Sequence, residues 1–589
     1  MHNITKPISD VRIATMLPNT WLGKLLKVIS PLLDRLLGIH KLRQLYLSCA
    51  LPGDDKQAFT SKILNALGVK VAGGDGMVSK IPKTGSCIVV CNHPYGMIEG
   101  IIIANVLTAY RSDTKVMANV GLQIFKEIKS YFIFVNPLKP KAVMNTSALK
   151  QCFKHLNNDG LLVIFPAGRV SFYQKEQQRI ADGEWDRVAA QLAIKTNTPI
   201  LPVFISGSNS ALFHNMGRLY YRFRLMMLVR EMFKLQQHTI HLSAGNLIKA
   251  EQLKGMGDTP RINSFLRLQC YLNDDTYITP WLADNKPAVF AEIIEPADKA
   301  ALTSELEKLP EKQRLLTFKS FTVYYGYQHQ IPLCVQDITR LREITFRTLN
   351  EGSGESCDTD KYDATYLHLF IFDNKNEEII GAYRIGQTDV LLKAGDPSSL
   401  YLSQMFTFEA EFINQQQPCL EMGRSFIVES HQNSFYGLLL LWKGIGAFVC
   451  QNPRYRTLYG TVSLSKVYDP RSVALINEVM VTDNNGVKAN TAFAGQLHPE
   501  VKANLQAESL NIDWLSALVM GIETDSKDLP VLVKQYHKLG ATFHCTGIDA
   551  NFNHTPGLLL SVNLAKAPDK LLKLYLGASR ENYIQYNRH

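Results

Sequence analysis

"SCIVVCNHPYGMIEGIIIANVLTAY", residues 86–110, runs from an apolar β-type segment through a short polar loop into an apolar, helix-like one. Ile88, Val89 and Val90 suit a strand buried on both faces. Pro94 and Gly96 break the run, and Ile101 to Val106 resume it as a helix. His93 therefore falls where a strand ends and a helix begins, the position in an open α/β sheet where loops project chemistry. The alternation continues outward: "KVMANV", "FIFVN", "LLVIF" and "PILPVFIS" read as strands and "WDRVAAQLAIK" as a helix. From about 85 to 210 the pattern predicts an α/β sheet, at least in part parallel.

The chain has 589 residues, which predicts two domains of roughly 200 to 300 residues. A hydrophobic content of 46% with 20% charged residues excludes wholesale disorder. The net charge of +10 favours an anionic partner, whether membrane surface, nucleic acid or acidic carrier protein. Ten cysteines lack any CxxC pair, and no signal-type segment opens the chain, so reduced thiols and a cytoplasmic location are expected. Cys545 lies near His537, His544 and His554 without standard metal-ligand spacing, and no metal is expected. No run of 18 uncharged apolar residues occurs, so no spanning helix is expected.

Contact with a membrane surface stays open. In the 21–47 segment, Leu22, Leu25, Leu26, Ile29, Leu32, Leu33 and Leu36 recur at helical spacing among Lys24, Lys27, Arg35, Lys41 and Arg43. A second such segment spans 218–234, with Arg218, Arg222, Arg224, Arg230 and Lys234 between apolar residues. Both suit helices lying in a headgroup layer, although an amphipathic helix packed on its own domain gives the same pattern. Residues 1–60 are expected to form amphipathic, membrane-associating helices. The charged stretch "IIEPADKAALTSELEKLPEKQRLL" reads as exposed helix between domains, which predicts an α/β domain over 61–305 and a second domain over 306–589. The second half mixes β-rich runs ("YLHLFIFD", "EIIGAYRIG", "LYGTVSLSKVY") with helices ("SFYGLLLLWKGIGAFVC", "LPVLVKQYHKLG"), an α+β layout.

A neutral imidazole takes a proton near pH 7, and a neighbouring carboxylate fixes its tautomer and stabilises the imidazolium. His93 with Glu99 can therefore activate a hydroxyl, and no GxSxG element points to a serine nucleophile instead. "NHPYGMIEG" resembles the catalytic block of the glycerolipid acyltransferases, "VIFPAGRVSF" (163–172) their second signature, and "TPILPVFISG" (198–207) their Pro-containing strand. The resemblance implies catalysis by His93 and Glu99, and substrate binding by Asn92, Phe165, Pro166, Gly168 and Arg169. The pattern departs from the family in three places. The usual acid position is Ile98, so Glu99 must reach back, helped by Gly96. Ala167 stands for the usual Glu, and "FVNP" (134–137) lacks an Arg. These departures suggest an acceptor other than a glycerol phosphate.

The block from 337 to 386 resembles the amino-terminal half of acyl-homoserine-lactone synthases and the allied ornithine N-acyltransferases, with Arg342, Phe346, Asp360, Asp363 and Arg384 matching. "LEMGRSFIV" (420–428) supplies Glu421 and Arg424. The resemblance implies a GNAT fold, whose splayed strand pair exposes backbone groups to an acyl thioester. Glu421 would hold and deprotonate an amine. Asp360 and Asp363 would bind a cationic side chain, and Arg342, Arg384 or Arg424 a carboxylate. An ionic network that merely braces a core gives the same residues. The corresponding "ESHQNSFYG" has only Gly437, so it lacks a glycine-rich pyrophosphate loop, and an acyl carrier protein is favoured over coenzyme A as donor. No bound cofactor is expected.

Joined, the halves resemble the bifunctional ornithine lipid synthases, also called haemolysin-like. The resemblance implies N-acylation of ornithine with a 3-hydroxyacyl chain, then O-acylation of the lyso-lipid hydroxyl. It also implies acyl carrier protein and an anionic membrane as partners, no nucleic acid, and a peripheral place on the cytoplasmic face of the inner membrane. Two other readings remain: a lysophosphatidate acyltransferase with a regulatory second domain, and a membrane-damaging protein without catalysis.

Overall fold

The first half builds strands β1 (Lys70–Ala72), β2 (Cys87–Cys91), β3 (Lys115–Asn119), β4 (Phe132–Val135), β5 (Leu161–Ile164), β6 (Phe172–Gln174), β7 (Arg179–Ala181), β8 (Ile200–Ile205) and β9 (Thr239–Ala244). The structure, a computed structural model, describes residues 21–49, 55–119, 122, 127–136, 143–175, 178–219, 221–284, 287, 289–414, 417–432, 434–482, 486–507 and 512–586. Seven strands form one sheet in the order β1-β9-β8-β2-β5-β3-β4. From β8 to β4 the pairing is parallel, while β9 turns antiparallel to β8. Every residue of β2, β5 and β8 is buried, the expected state of parallel strands covered on both faces. With β5 on one side of β2 and β8 on the other, the loops leaving their carboxyl ends meet at a topological switch point. The predicted α/β sheet and its strand-to-helix junction at His93 are both present.

The chain divides into two compact units, Met1–Ile278 with Leu497–Lys527, and Thr279–Gln496 with Asp528–His589. This corrects the 305/306 boundary. The stretch read as an exposed linker contains the helix Lys299–Glu307, whose Leu302 and Leu306 join a core with Ile338, Phe346 and Phe370 of the second unit. Conversely, the 497–527 segment packs into the first unit. Its buried Glu500 pairs with Arg179 at 2.6 Å and Arg267 at 2.5 Å. Trp514 meets Phe265 edge to face at 5.7 Å between ring centres.

The second unit contains β10 (Arg314–Phe318), β11 (Phe321–Tyr327), β12 (Leu367–Asp373), β13 (Glu378–Gln387), β14 (Phe406–Phe408), β15 (Leu420–Ile427), β16 (Thr457–Ser463), β17 (Val487–Ala489), β18 (Thr542–Asp549) and β19 (Thr555–Asn563). Eight of them form a sheet ordered β10-β11-β12-β13-β15-β16-β19-β18. All its pairs are antiparallel except β15 with β16. That parallel pairing covers only Leu420–Met422 against Leu458–Gly460, although both strands continue beyond it. A Cβ at Gly460 would lie 2.3 Å from the Met422 carbonyl oxygen, so glycine permits the close approach at the root of the splay. Further along β15, Arg424 takes a left-handed φ of 50° beside a register shift between Ala382 and Arg384. The bulge bends β15 away from β16, giving the expected splayed pair.

Helices Trp21–Leu36, Ile39–Ser48, Ala211–Leu219 and Tyr221–Lys234 occupy the two amphipathic segments. Residues 1–20 and 50–54 lie outside the described residues, as do the side chains of 21–26 and 221–223. On Trp21–Leu36 the usual polarity is inverted: Ser30 and Asp34 are buried, while Val28, Ile29, Leu32 and Leu36 are exposed. Among the described residues no helix is long and apolar enough to cross a membrane.

Candidate active sites

In the first unit the chain leaves β2 at Cys91 and turns at Gly96, whose φ of 91° is left-handed. A Cβ there would lie 2.2 Å from Val170 Cγ2, so space and conformation both require glycine. The turn starts the helix Ile98–Tyr110. Glu99, in its first turn, faces backward toward unpaired backbone donors. Its Oε1 accepts from the N–H groups of Tyr95 at 2.5 Å and Gly96 at 2.7 Å, and lies 3.2 Å from His93 Nδ1. The one-residue displacement of the acid is thus absorbed by the turn. With Nδ1 turned to the carboxylate, Nε2 is the nitrogen left to act on an acceptor.

The Glu99 side chain has no exposed surface, whereas that of His93 keeps 18%. Burial alone would lower the imidazole pKa, but the charges of Glu99 and Asp182 outweigh it and raise the value above normal. Burial alone would raise Glu99, but the imidazolium and the Gly96 N–H hold it below the usual carboxyl range. The pair is therefore built to carry its charged form.

The remaining blocks assemble around this dyad. Phe165 stacks obliquely on the His93 ring, 4.6 Å between centres. The Pro166 carbonyl accepts from Asp186, Gly168 turns with a φ of 61°, and the Ser171 N–H donates to the His93 carbonyl at 2.8 Å. Arg169 is exposed beside the Phe172 ring. Asn92 is placed differently from the expectation that it binds substrate. Its side-chain amide donates to the Ile205 carbonyl at 2.9 Å and accepts from the Ile205 N–H at 2.7 Å. Both amide functions are spent clamping β2 to β8, which makes Asn92 a positioning residue.

Two residues beside the dyad were not among the expected site residues. Asp182, fully buried, accepts from the His93 N–H at 3.1 Å, the Ser171 hydroxyl at 2.6 Å and the Trp185 indole at 3.0 Å. Burial keeps its pKa raised despite these donors. It joins the β2 loop to the β5 loop, and only its place in the turn of "ADGEWD" hinted at this. Arg224 is buried with its guanidinium 4.8 Å from the Phe172 ring centre. Its pKa is lowered by burial and by the nearby charge of Arg169. Neither arginine has an ion pair to an acid among the described residues, so together they present uncompensated positive charge beside the His93 loop.

In the second unit a cavity of about 180 Å³ lies in the splay. It is lined by Met422 to Ser425 of β15, Thr461 to Ser463 of β16, and Arg384, Tyr401, Glu421, Asp549 and Glu351 from around them. Glu421 is buried beside Tyr366, and its Oε1 accepts from the Leu402 N–H at 3.2 Å. Burial pushes its pKa up to about 7, against the pull of these donors and of Arg384. An acid so placed can itself take a proton at neutral pH.

The other matched residues divide. Arg384 and Arg424 line the cavity, whereas Arg342, Asp360 and Asp363 do not. Arg342 pairs with Asp363 at 2.9 Å and Asp358 at 3.0 Å. Arg384 pairs with Asp360 at 2.6 Å and Asp363 at 3.1 Å, and Arg424 with Asp358 at 3.2 Å. The expectation that Asp360 and Asp363 bind a cationic side chain is corrected: three arginines already engage them and Asp358. The network does brace the fold, while its Arg384 and Arg424 ends reach the cavity.

The two units that carry these constellations resemble known families. The family described as Acyltransferase matches residues 39–277, and that described as Acetyltransferase (GNAT) domain matches 341–443. The chain is an acyltransferase enzyme, with an acyltransferase domain followed by a GNAT-type domain. It is 29% identical over 298 residues to a glycine N(alpha)-acyltransferase of Bacteroides thetaiotaomicron, covering 46% of this chain and 86% of the relative. A glycine N(alpha)-acyltransferase of Phocaeicola vulgatus is 27% identical over 294 residues, covering 46% of this chain and 89% of the relative. A lyso-glycine lipid O-acyltransferase of Phocaeicola vulgatus is 24% identical over 178 residues, covering 29% of this chain and 62% of the relative.

Proposed function

We propose that the chain makes a diacylated amino-acid lipid by two successive transfers from acyl thioesters. The second unit acylates the α-amine of ornithine with a 3-hydroxyacyl chain, and the first unit acylates the hydroxyl so introduced. One observation carries this reading: a single chain holds two bases of different kinds and resembles relatives named for N-acylation of glycine and O-acylation of lyso-glycine lipid.

In the first reaction Glu421 takes a proton from the α-ammonium. The freed amine attacks the thioester carbonyl, the C–S bond breaks, the second proton lost from the nitrogen passes to the departing thiolate, and Glu421 gives the first to solvent. In the second, His93 Nε2 takes the hydroxyl proton as the oxygen attacks a second thioester, and the imidazolium returns it to the departing thiolate. Glu99 stabilises the imidazolium throughout. Arg169 and Arg224 suit an acceptor whose headgroup carries a carboxylate.

The donor is an acyl carrier protein, an acidic partner suited to a chain of net charge +10. In support, the one-turn helix Glu429–Gln432 precedes the helix Phe435–Gln451 where coenzyme A enzymes carry a glycine-rich loop. The enzyme works peripherally on the cytoplasmic face of the inner membrane. The outward apolar face of Trp21–Leu36 and exposed Leu219, Leu225 and Met226 on the later helices support that placement. Expression in a bacterium lacking amino-acid lipids, with mass spectrometry of its lipids, tests the reading. Mono- and diacylated ornithine are expected; acylated lysophosphatidate without any amino-acid lipid would overturn it.

A further inference from the structure

We infer that Glu351 holds the side-chain ammonium of a diamino-acid acceptor and so decides which amino acid the second unit acylates. The inference rests on the reading of this unit as an amino-acid N-acyltransferase. Glu351 follows the helix Pro332–Thr348 and lines the cavity, yet belongs to none of the motif positions discussed above.

The acids of this region sort by what already engages them. Asp358, Asp360 and Asp363 are taken by Arg342, Arg384 and Arg424. Asp549 accepts from the Tyr401 hydroxyl at 2.7 Å and the Asn551 N–H at 3.0 Å. Glu421 and Glu351 remain: each is almost wholly buried, neither has an ion pair to a lysine or arginine among the described residues, and Glu421 Oε2 and Glu351 Oε1 meet at most the neighbouring hydroxyls of Tyr366, Ser463 and Ser465. A buried carboxyl that faces a cavity with neutral donors only can take a cation from a ligand.

Two open carboxyls exceed the needs of glycine, which brings one ammonium. A diamino acid brings two. The carboxyls are also set apart along the cavity: Glu421 is level with Tyr459 on β16, whereas Glu351 faces Ser463 at the far end of that strand. Four residues of strand span roughly 13 Å, a distance that two glutamate side chains and a short diamine between them can bridge. Arg384 and Arg424 supply cations for the acceptor carboxylate between these ends. Burial pushes Glu351 up to about 7, against the hydroxyls of Ser463 and Ser465 and the charge of Arg424. Arrival of an ammonium would favour its ionised form.

The test uses the full-length protein with a 3-hydroxyacyl carrier-protein thioester and three amines: ornithine, glycine, and norvaline, which has the ornithine chain without its terminal amine. Wild type should prefer ornithine to norvaline by about a hundredfold in kcat/KM, and Glu351→Gln should erase most of that preference. The same variant should keep norvaline turnover within about threefold of wild type, which also reports that it folds. Wild type using norvaline or glycine as well as ornithine would overturn the inference without any variant. Equal losses on ornithine and norvaline in Glu351→Gln would overturn it too, since a scaffold or a base affects both. If wild type acylated none of the three amines, the N-acyltransferase reading itself would fall.

Discussion

Glu99 and Glu421 are both buried carboxyls beside a strand end, yet burial leaves them with opposite chemistry. Glu99 meets two backbone N–H groups at a helix start and an imidazole, and its pKa falls below the normal carboxyl value. Glu421 meets the Leu402 N–H and the Tyr366 hydroxyl but no imidazolium, and its pKa rises to about 7. The first is a fixed charge that raises the pKa of a neighbouring histidine, and the second is poised to take a proton itself. Burial sets the penalty for the charge, and the donors facing each oxygen decide whether the carboxyl pays it.

The contrast can be broken reaction by reaction. The largest effect is expected for His93→Ala, which should lower O-acylation by about 10³-fold or more and accumulate monoacylated lipid by mass spectrometry. N-acylation should persist in that variant. Glu421→Gln should lower N-acylation by about 10²-fold, while O-acylation of supplied lyso-lipid continues in steady-state assays. Arg224→Ala should raise the KM for lyso-lipid by about tenfold with little change in kcat, because it removes headgroup charge without touching the dyad. Smallest, Asn92→Ala leaves the Ile205 N–H and carbonyl unpaired at a cost of about 2 kcal/mol. Thermal inactivation should then come earlier for O-acylation than for N-acylation.

Much of the first site was legible because its signals are local. The β-branched run, the break at Gly96 and Glu99 all lie within 25 residues, and the turn brings them together. Asn92 was misread because its partner, Ile205, lies on a strand 113 residues later. Asp182 escaped for the same reason, and Arg224 was visible only as a charge on an amphipathic segment, since its burial against Phe172 is created by the fold. In the second unit the arginines and aspartates were visible as types, but not which acid each arginine would engage. That pairing leaves Glu351 and Glu421, rather than Asp360 and Asp363, open to the cavity. The unit boundary was misplaced because charge made Lys299–Glu307 look exposed, although Leu302 and Leu306 are buried. Nothing local in the 497–527 segment announces that Glu500 will pair with Arg179 and Arg267.

The most direct test of two separately tuned bases is the pH dependence of both reactions in wild type and Glu99→Gln. In wild type, O-acylation should fail on the acid side at a pH above the ordinary imidazole value of 6.5, because the raised pKa keeps His93 protonated there. N-acylation should rise near pH 7 as Glu421 loses its proton. Glu99→Gln should move the O-acylation limb to lower pH, since burial would then lower the imidazole with less opposition, and leave the N-acylation profile in place. An O-acylation limb that did not move, or two profiles that moved together, would contradict the account.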